Sequence, residues 1–409
     1  MDMFTVKKRQ DVLSLLDETF HNKKIETETV DLLSSVGRII CEDLHSRENV
    51  PAFRRSTVDG YAVRSKDTVG CSDALPAFLN IAGETRMGEG TDLTLNSFEA
   101  IYVPTGGIVP SGADAVVMIE YTEKFDDDIA ISRPVSQREN IVGIGDDVTE
   151  NEAVISKHTQ LKTQHVGALA ALGISNVSVY KKPKVAILST GDELVDVNSE
   201  LSIGKIRDVN AYSLNSMLNV MGCEIIMQAR IKDDFEKIKE TLEKATSQCD
   251  IVLISGGSSV GNKDMTPEII NALGDPGVLV HGIAIKPGKP TIVAKVRDTA
   301  VFGLPGHPAS CIISYKSVVE PFIKYTLLKS QEKERFIKAK SGFQMHVSSG
   351  RDVFYMVSLD DSGDEYVAHP VHGKSGMISL LSKSDGFIEI PMEKEGLQIG
   401  EEVRVQLFR

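Results

Sequence analysis

Between Lys184 and Lys329 the chain alternates short apolar runs with amphipathic stretches, and few folds accept that pattern. Val185–Leu188, Glu224–Ala229 and Ile251–Ile254 read as strands; Ala211–Met221, closed by Gly222, and Phe235–Ala245 read as helices. Asp233 and Glu236 have capping-box spacing at the start of the second helix. Thr266 as N-cap with Pro267 behind it opens a third. Strands near Val278–Ile285, Thr291–Val296 and Ala300–Gly303 precede a long helix from Pro308 to about Lys329. Strands alternating with helices predict a doubly wound α/β domain, with ligands bound beyond the carboxyl ends of its strands. The segment Cys249–Asp264, CDIVLISGGSSVGNKD, sits at such an end. Its glycines and serines let backbone approach an anion and turn N–H and hydroxyl groups towards it. The spacing is neither that of a Walker A loop nor that of GxGxxG.

The remainder of the chain is organised differently. Met3–Phe20 and Thr29–Ile39 read as helices. From Pro51 to about Val135, short apolar segments punctuated by glycine and proline have the texture of a β-rich domain. Thr163–Gly173 reads as a short helix with Gly173 at its C′ position, and Asn176–Tyr180 as a strand. After Lys329 the pattern returns to short strands and turns. A net charge of −13 argues against nucleic-acid or anionic-membrane binding, since both reward a basic surface. No apolar run approaches the roughly 18 residues of a membrane span, and the N-terminus lacks a signal-peptide pattern; both point to a cytoplasmic chain. Five scattered cysteines without a CxxC argue against zinc, an iron–sulfur cluster or a disulfide framework.

Four loops of the α/β domain carry chemistry. They are Ser189–Glu193 with Thr190, the Gly256-Gly257-Ser258-Ser259 loop with Asp264, Lys286-Pro287-Gly288-Lys289-Pro290, and Gly303–Pro308 with Pro305 and His307. Carboxylates, hydroxyls and two close lysines suit a phosphate-bearing ligand whose charge is shared between Mg²⁺ and ammonium groups. Each has a plain alternative: Asp234 as a helix-terminus residue, Glu193 as a solvated turn, Asp264 as part of a helix start, the lysines as surface charges, and His307 as a packing or capping residue for the helix at Pro308. Two further loops, around Ser56 and Asp59 and around Thr105, have the chemistry of tight turns.

The segments PAFRRSTVDGYAV, VPTGGIVPSGADAVVMIE, ILSTGDEL, GKIRDVNAYSL, SGGSSVGNKD, IKPGKP, GLPGHPASC and HGKSGMI occur in that order from Pro51 to Ile378. On them the chain resembles the molybdopterin molybdenumtransferase family, called MoeA in bacteria and the E domain of gephyrin in animals. The resemblance implies a cytoplasmic homodimer with a discontinuous helical domain I (1–48 plus 140–180) and a β-rich domain II (49–139). Domain III is the molybdenum-cofactor-binding α/β domain (181–329), followed by a C-terminal β-domain IV (330–409). It implies insertion of molybdenum from molybdate into adenylylated molybdopterin, with Mg²⁺-dependent release of AMP. Asp59, Glu193, Asp234 and Asp264 then become catalytic, the last three as metal ligands. Ser56, Thr105, Thr190, Gly256, Gly257, Ser258, Ser259, Lys286, Lys289, Pro305 and Ser375 become substrate contacts, with Asp59 and Thr105 reaching the cleft of the partner subunit. Transient contact with molybdopterin adenylyltransferase and with acceptor molybdoenzymes belongs to the same picture. The alternatives are an adenylyltransferase, which shares the third-domain fold, and a gephyrin-like scaffold. Three positions depart from the family's pattern: Gly282 where many relatives have lysine, His307 where asparagine is usual, and Met356 where an arginine is expected after Arg351.

Overall fold

A computed structural model describes residues 6–256, 265–348 and 350–408. It divides into two compact units, one of residues 1–41, 158–162 and 176–409 and the other of 42–157 with 163–175.

The first unit contains the alternating segment. Its elements are β1 (Lys184–Thr190), α1 (Val209–Val220), β2 (Glu224–Ile231), α2 (Phe235–Gln248), β3 (Ile251–Ser255), α3 (Thr266–Asn271), β4 (Pro276–His281), β5 (Ile292–Val296), β6 (Thr299–Leu304) and α4 (Pro308–Ser314). They form a six-stranded sheet of order β2-β1-β3-β6-β5-β4. The first four in that order run parallel, and β5 runs against both its neighbours. The core explains why β1 and β3 are apolar without alternation: both faces are covered. Val185, Ile187, Ile251, Leu253 and Phe302 pack under α1 and α4, whereas Ala186, Leu188, Val252 and Ile254 pack under α2 and α3. The doubly wound arrangement expected from the alternation is therefore present.

Several local expectations shift. Asp234, not Asp233, caps α2 by accepting the Lys237 amide at 3.1 Å, and Asp208 caps α1 by accepting that of Ala211 at 3.1 Å. Helix α3 begins at Thr266 itself, with Met265 in the cap position. The strand expected over Val278–Ile285 stops at His281, because Gly282 takes φ +105°, a left-handed conformation open to glycine. Ile285–Lys286 then joins a different sheet, beside Asp352–Val353. The helix after α4 continues to Leu327 but takes wider turns over Tyr315–Val319 and Phe322–Leu327. Pro321 lies between them and has no amide to bond back one turn.

The chain's start packs on the same core. A helix over Arg9–Phe20, shorter than expected, buries Val12, Leu16 and Phe20. Lys7 pairs as a strand with Ile283, exchanging hydrogen bonds with Gly282 O and Ala284 N at 3.1 and 2.8 Å. Phe322, 1 % exposed, meets Phe20 at 5.1 Å and Phe302 at 5.5 Å between ring centroids. Phe322→Ala should lower unfolding free energy by about 3–5 kcal/mol in urea titration, the usual cost of emptying an aromatic site in a packed core. A loss below about 1 kcal/mol would show that the three rings do not form a packed unit.

The second expected N-terminal helix, Thr29–Ile39, is absent. Thr27–Asp31 is a strand, antiparallel to Asn176–Tyr180, followed by one short turn over Leu33–Ser35. Thr27, Thr29 and Val30 are β-branched, and Asp31 accepts the amides of Leu33 and Ser34, each at 3.1 Å, which ends the strand in a side-chain-closed turn.

A C-terminal sheet follows in the order Ile285–Lys286, Asp352–Asp360, Val367–Pro370, Ile337–Ser341, Glu402–Leu407, Gly386–Ile390, and the last strand pairs back onto Asp352–Asp360. Arg9 is ion-paired with both Asp352 and Glu389 of this sheet.

The second unit is built on another six-stranded sheet, ordered Ala115–Met118, Gly60–Val63, Glu99–Val103, Ala77–Glu84, Asp128–Ile131, Thr122–Phe125. Its helix Thr163–Ala171 ends as expected, with Gly173 at φ +68°. Among the described residues no helix is long and apolar enough to cross a membrane.

Candidate functional site

The chain leaves β1 for the sheet's edge at β2 and returns to β3 on the other side of β1, so a crevice opens where the two paths diverge. Thr190 ends β1 and Ser255-Gly256 ends β3 at that crevice. Gly256 has φ +101°, and a Cβ there would stand 2.2 Å from Thr190 O and 2.8 Å from Thr190 Oγ1. Only glycine lets the two strand ends approach this closely. Its amide is held by Leu304 O at 3.3 Å, which ties in the end of β6.

A cleft of about 480 Å³ lies over these ends. Thr190, Glu193, Lys205, Asp208, Asn210, Ser255 and Gly256 line it together with Gly306, His307 and Ile378. Two polar atoms of its wall, Thr190 Oγ1 and Asn210 Oδ1, are buried without a hydrogen-bond partner among the described residues. Buried polar groups are ordinarily satisfied, so an orphaned pair in a cleft wall marks a place where a polar ligand completes the bonding. Asn210 is not loose: its amide donates to Gly306 O at 2.9 Å.

A second hollow of about 330 Å³ lies where the α/β domain meets the C-terminal sheet. Lys286, Arg351, His346, Ser348, Tyr355 and Ser375 supply its polar lining, and among the described residues no carboxylate lines it. On a chain of net charge −13, a concavity lined by two cations and, among the described residues, no acid suits an oxyanion. The two hollows share a wall. Gly373 and Ser375 face the smaller one while Gly376 and Ile378 of the same turn face the larger. That turn is fastened to the start of α4 by Ala309 N donating to Ser375 O at 3.1 Å and by the Ser375 hydroxyl bonded to His307 Nδ1 at 3.0 Å.

The structure thus brings Thr190, Glu193 and Gly256 to one cleft and Lys286 and Ser375 to the adjoining hollow. It separates Lys286 from Lys289. Gly288, at φ +117° with Ser314 Oγ 2.6 Å from where a Cβ would be, turns the chain between them, and Lys289 lines neither hollow. Pro305 is buried behind the lining. Asp234 is engaged as the cap of α2, with Lys237 Nζ 3.8 Å from its other oxygen. His307 occupies the cap position of α4, but its side chain makes no capping bond and turns to Ser375 instead. Gly257, Ser258, Ser259 and Asp264 lie outside the described residues. Among the described residues no three acidic, cysteine or histidine side chains converge as a metal cage. In the second unit, Asp59 accepts the Thr105 amide at 2.8 Å, and the Ser56 hydroxyl donates to Val58 O at 2.6 Å while accepting the Val58 amide.

Arg351 and Asn210 escaped the sequence reading as site residues. Arg351 carries a signal, a cation between a glycine and an apolar strand; Asn210 sits inside a helix and carries none. The cysteines take no part: four of the five are buried, and burial pushes the thiol of Cys223 up to about 12 and that of Cys249 to about 11.

A doubly wound domain with its cleft at the switch of strand order, flanked by β-rich regions, defines a multidomain α/β ligand-binding protein. Comparison with known proteins narrows the class. Three family descriptions match: "MoeA N-terminal region (domain I and II)" over residues 6–173, "Probable molybdopterin binding domain" over 186–325 and "MoeA C-terminal region (domain IV)" over 338–408. A putative molybdopterin biosynthesis protein of Methanocaldococcus jannaschii is 34% identical over 96% of this chain and 94% of its own length. The molybdopterin molybdenumtransferase of Bacillus subtilis is 32% identical over 95% and 91%. A crystal structure of the molybdopterin biosynthesis MoeA protein of Pyrococcus horikoshii superposes with a TM-score of 0.87 at 33% identity, covering 99% of this chain and all of that one. The chain belongs to the MoeA family of molybdopterin-biosynthesis enzymes.

Proposed function

We propose that this protein is a molybdopterin molybdenumtransferase that inserts molybdenum from molybdate into adenylylated molybdopterin and releases AMP. The observation that carries the reading is the pair of hollows with a common wall, one with orphaned polar atoms for a pterin nucleotide, the other cationic and acid-free for an oxyanion. Lys286 and Arg351 offset the charge of molybdate, and the Ser375 hydroxyl donates to one of its oxygens. Thr190 and Asn210 take polar edges of the nucleotide or pterin, and the Gly256–Ser259 loop cradles phosphate. Water adds to phosphorus as the phosphoanhydride bond breaks, leaving AMP and the molybdopterin phosphate.

The donor set suits magnesium, which prefers a few carboxylates together with phosphate oxygens and water to a full protein cage. Glu193 has no ion-pair partner among the described residues and Asp234 keeps one oxygen free of its capping bond, so these two, with Asp264, would hold the ion. When bound, it neutralises pyrophosphate charge. Asp59, Thr105 and Ser56 would act from the partner subunit of a homodimer, where the Asp59–Thr105 bond holds the carboxylate in a fixed direction. Adenylyltransferase and acceptor molybdoenzymes would meet the protein only transiently.

Incubation with adenylylated molybdopterin, Mg²⁺ and molybdate should release AMP in proportion to molybdenum retained by the pterin. Formation of adenylylated product from molybdopterin and Mg-ATP, without molybdate-driven AMP release, would overturn this assignment in favour of an adenylyltransferase.

A further inference from the structure

We propose that His307 is a positioning residue that sets the direction of the Ser375 hydroxyl and thereby makes oxyanion binding in the smaller hollow depend on the protonation of one imidazole. The proposal rests on the oxyanion reading of that hollow. Ser375 lines the hollow and His307 lines the cleft on the other side of the wall, and their bond of 3.0 Å is the side-chain link across it.

A hydroxyl has one proton. If His307 Nδ1 is unprotonated, the Ser375 O–H donates to the ring and turns only lone pairs towards the oxyanion. If Nδ1 carries a proton, it donates to Ser375 Oγ, and the hydroxyl proton is released to point into the hollow. The neutral ring can take either form; the imidazolium has both nitrogens protonated, so Nδ1 must donate. With the ring charged, the serine is therefore fixed as an oxyanion donor. An asparagine amide has two permanent N–H donors and would hold the hydroxyl in the productive direction at every pH.

The charged and titratable groups around this pair are Glu193, Lys205, Arg207 and Asp208 along the cleft, His372 and Lys374 on the turn, and Lys286, Arg351, Tyr355 and His346 in the adjoining hollow. His346 is a second imidazole in the hollow, and His372 is bonded through Nδ1 to the Tyr355 hydroxyl of its lining at 3.2 Å.

The test is calorimetric titration of the intact protein with micromolar molybdate at pH 6 and pH 8. Wild type should bind on the order of tenfold more tightly at pH 6, the effect of gaining one charge-assisted hydrogen-bonding arrangement. His307→Asn should bind at pH 8 as wild type does at pH 6, with a flat profile; Ser375→Ala should bind weakly at both, and His307→Ala, which frees the hydroxyl without fixing its direction, should lose the pH profile. Recovery by asparagine, which is uncharged, separates hydroxyl direction from simple charge. If His307→Asn binds as weakly as Ser375→Ala, or keeps the wild-type pH profile, the proposal is overturned and His346 or a general charge effect takes its place. A flat wild-type profile also overturns it, while leaving the oxyanion reading intact. Wild type that fails to bind molybdate at either pH removes both.

Discussion

Gly256→Ala should destabilise the protein by about 3–5 kcal/mol and abolish ligand binding in the cleft even where folded protein is recovered. Two costs combine. An L-residue at φ +101° is strained by roughly 1–3 kcal/mol. The added methyl would also stand 2.2 Å from a carbonyl oxygen, and relieving that overlap means parting β1 from β3, with a further cost of about 1–3 kcal/mol. Binding suffers because Thr190 Oγ1, one of the orphaned atoms, lies 2.8 Å from the same methyl position. Gly90→Ala is the control: no atom lies within 4 Å of its Cβ position and its φ is not positive, so the change should stay within about 0.5 kcal/mol. Urea unfolding of the three proteins decides the matter. Equal midpoints for wild type and Gly256→Ala would mean that the strand ends are not in close contact.

Lys286→Glu should weaken molybdate binding at least about 100-fold, whereas Lys289→Glu should change it less than about threefold. A charge about 4 Å from an anion at a partly buried site is worth several kcal/mol, and reversal both removes an attraction and adds a repulsion. The lining loses its net positive charge, since Arg351 alone is then opposed by a carboxylate. Both lysines are exposed, but Lys289 lies outside the lining, where solvent and salt screen it. Titration with molybdate at fixed ionic strength reads both variants. Equal losses would mean that the oxyanion responds to the field of the whole loop and not to a seat beside Lys286.

The parts of this molecule legible in its sequence are those governed by local rules. Ile251–Ile254 ends abruptly in Ser255-Gly256, which marks a buried parallel strand running into a ligand loop, and Gly173 closes a helix where its φ requires. Thr29–Ile39 misled because Val30, Leu33 and Val36 repeat at helical spacing, yet Asp31 closes a turn and Thr27–Asp31 finds a strand partner some 150 residues away. Lys286 and Lys289 looked equivalent because they stand three positions apart; strand pairing with Val353 and the turn at Gly288 give them different surroundings. The His307–Ser375 bond spans 68 positions, and no periodicity or spacing encodes it. Its two halves were visible separately, one as a departure from the family's usual asparagine and the other within the family-like segment HGKSGMI, but the contact itself belongs to tertiary structure.

Residues 282–286 belong by sequence to the α/β domain, but Lys7 at the chain's start bonds to Gly282 and Ala284, while Asp352 N donates to Ala284 O at 2.9 Å from the C-terminal sheet. The main chain beneath Lys286 is thus a seam stitched from three distant stretches of sequence. Modularity stops there. An α/β domain excised at residues 184–329 would carry away the strand ends beneath the switch-point cleft, but it would leave behind Gly376 and Ile378 of the cleft wall and the backing of the lysine. Both the oxyanion seat and the cleft are completed only by the joined chain.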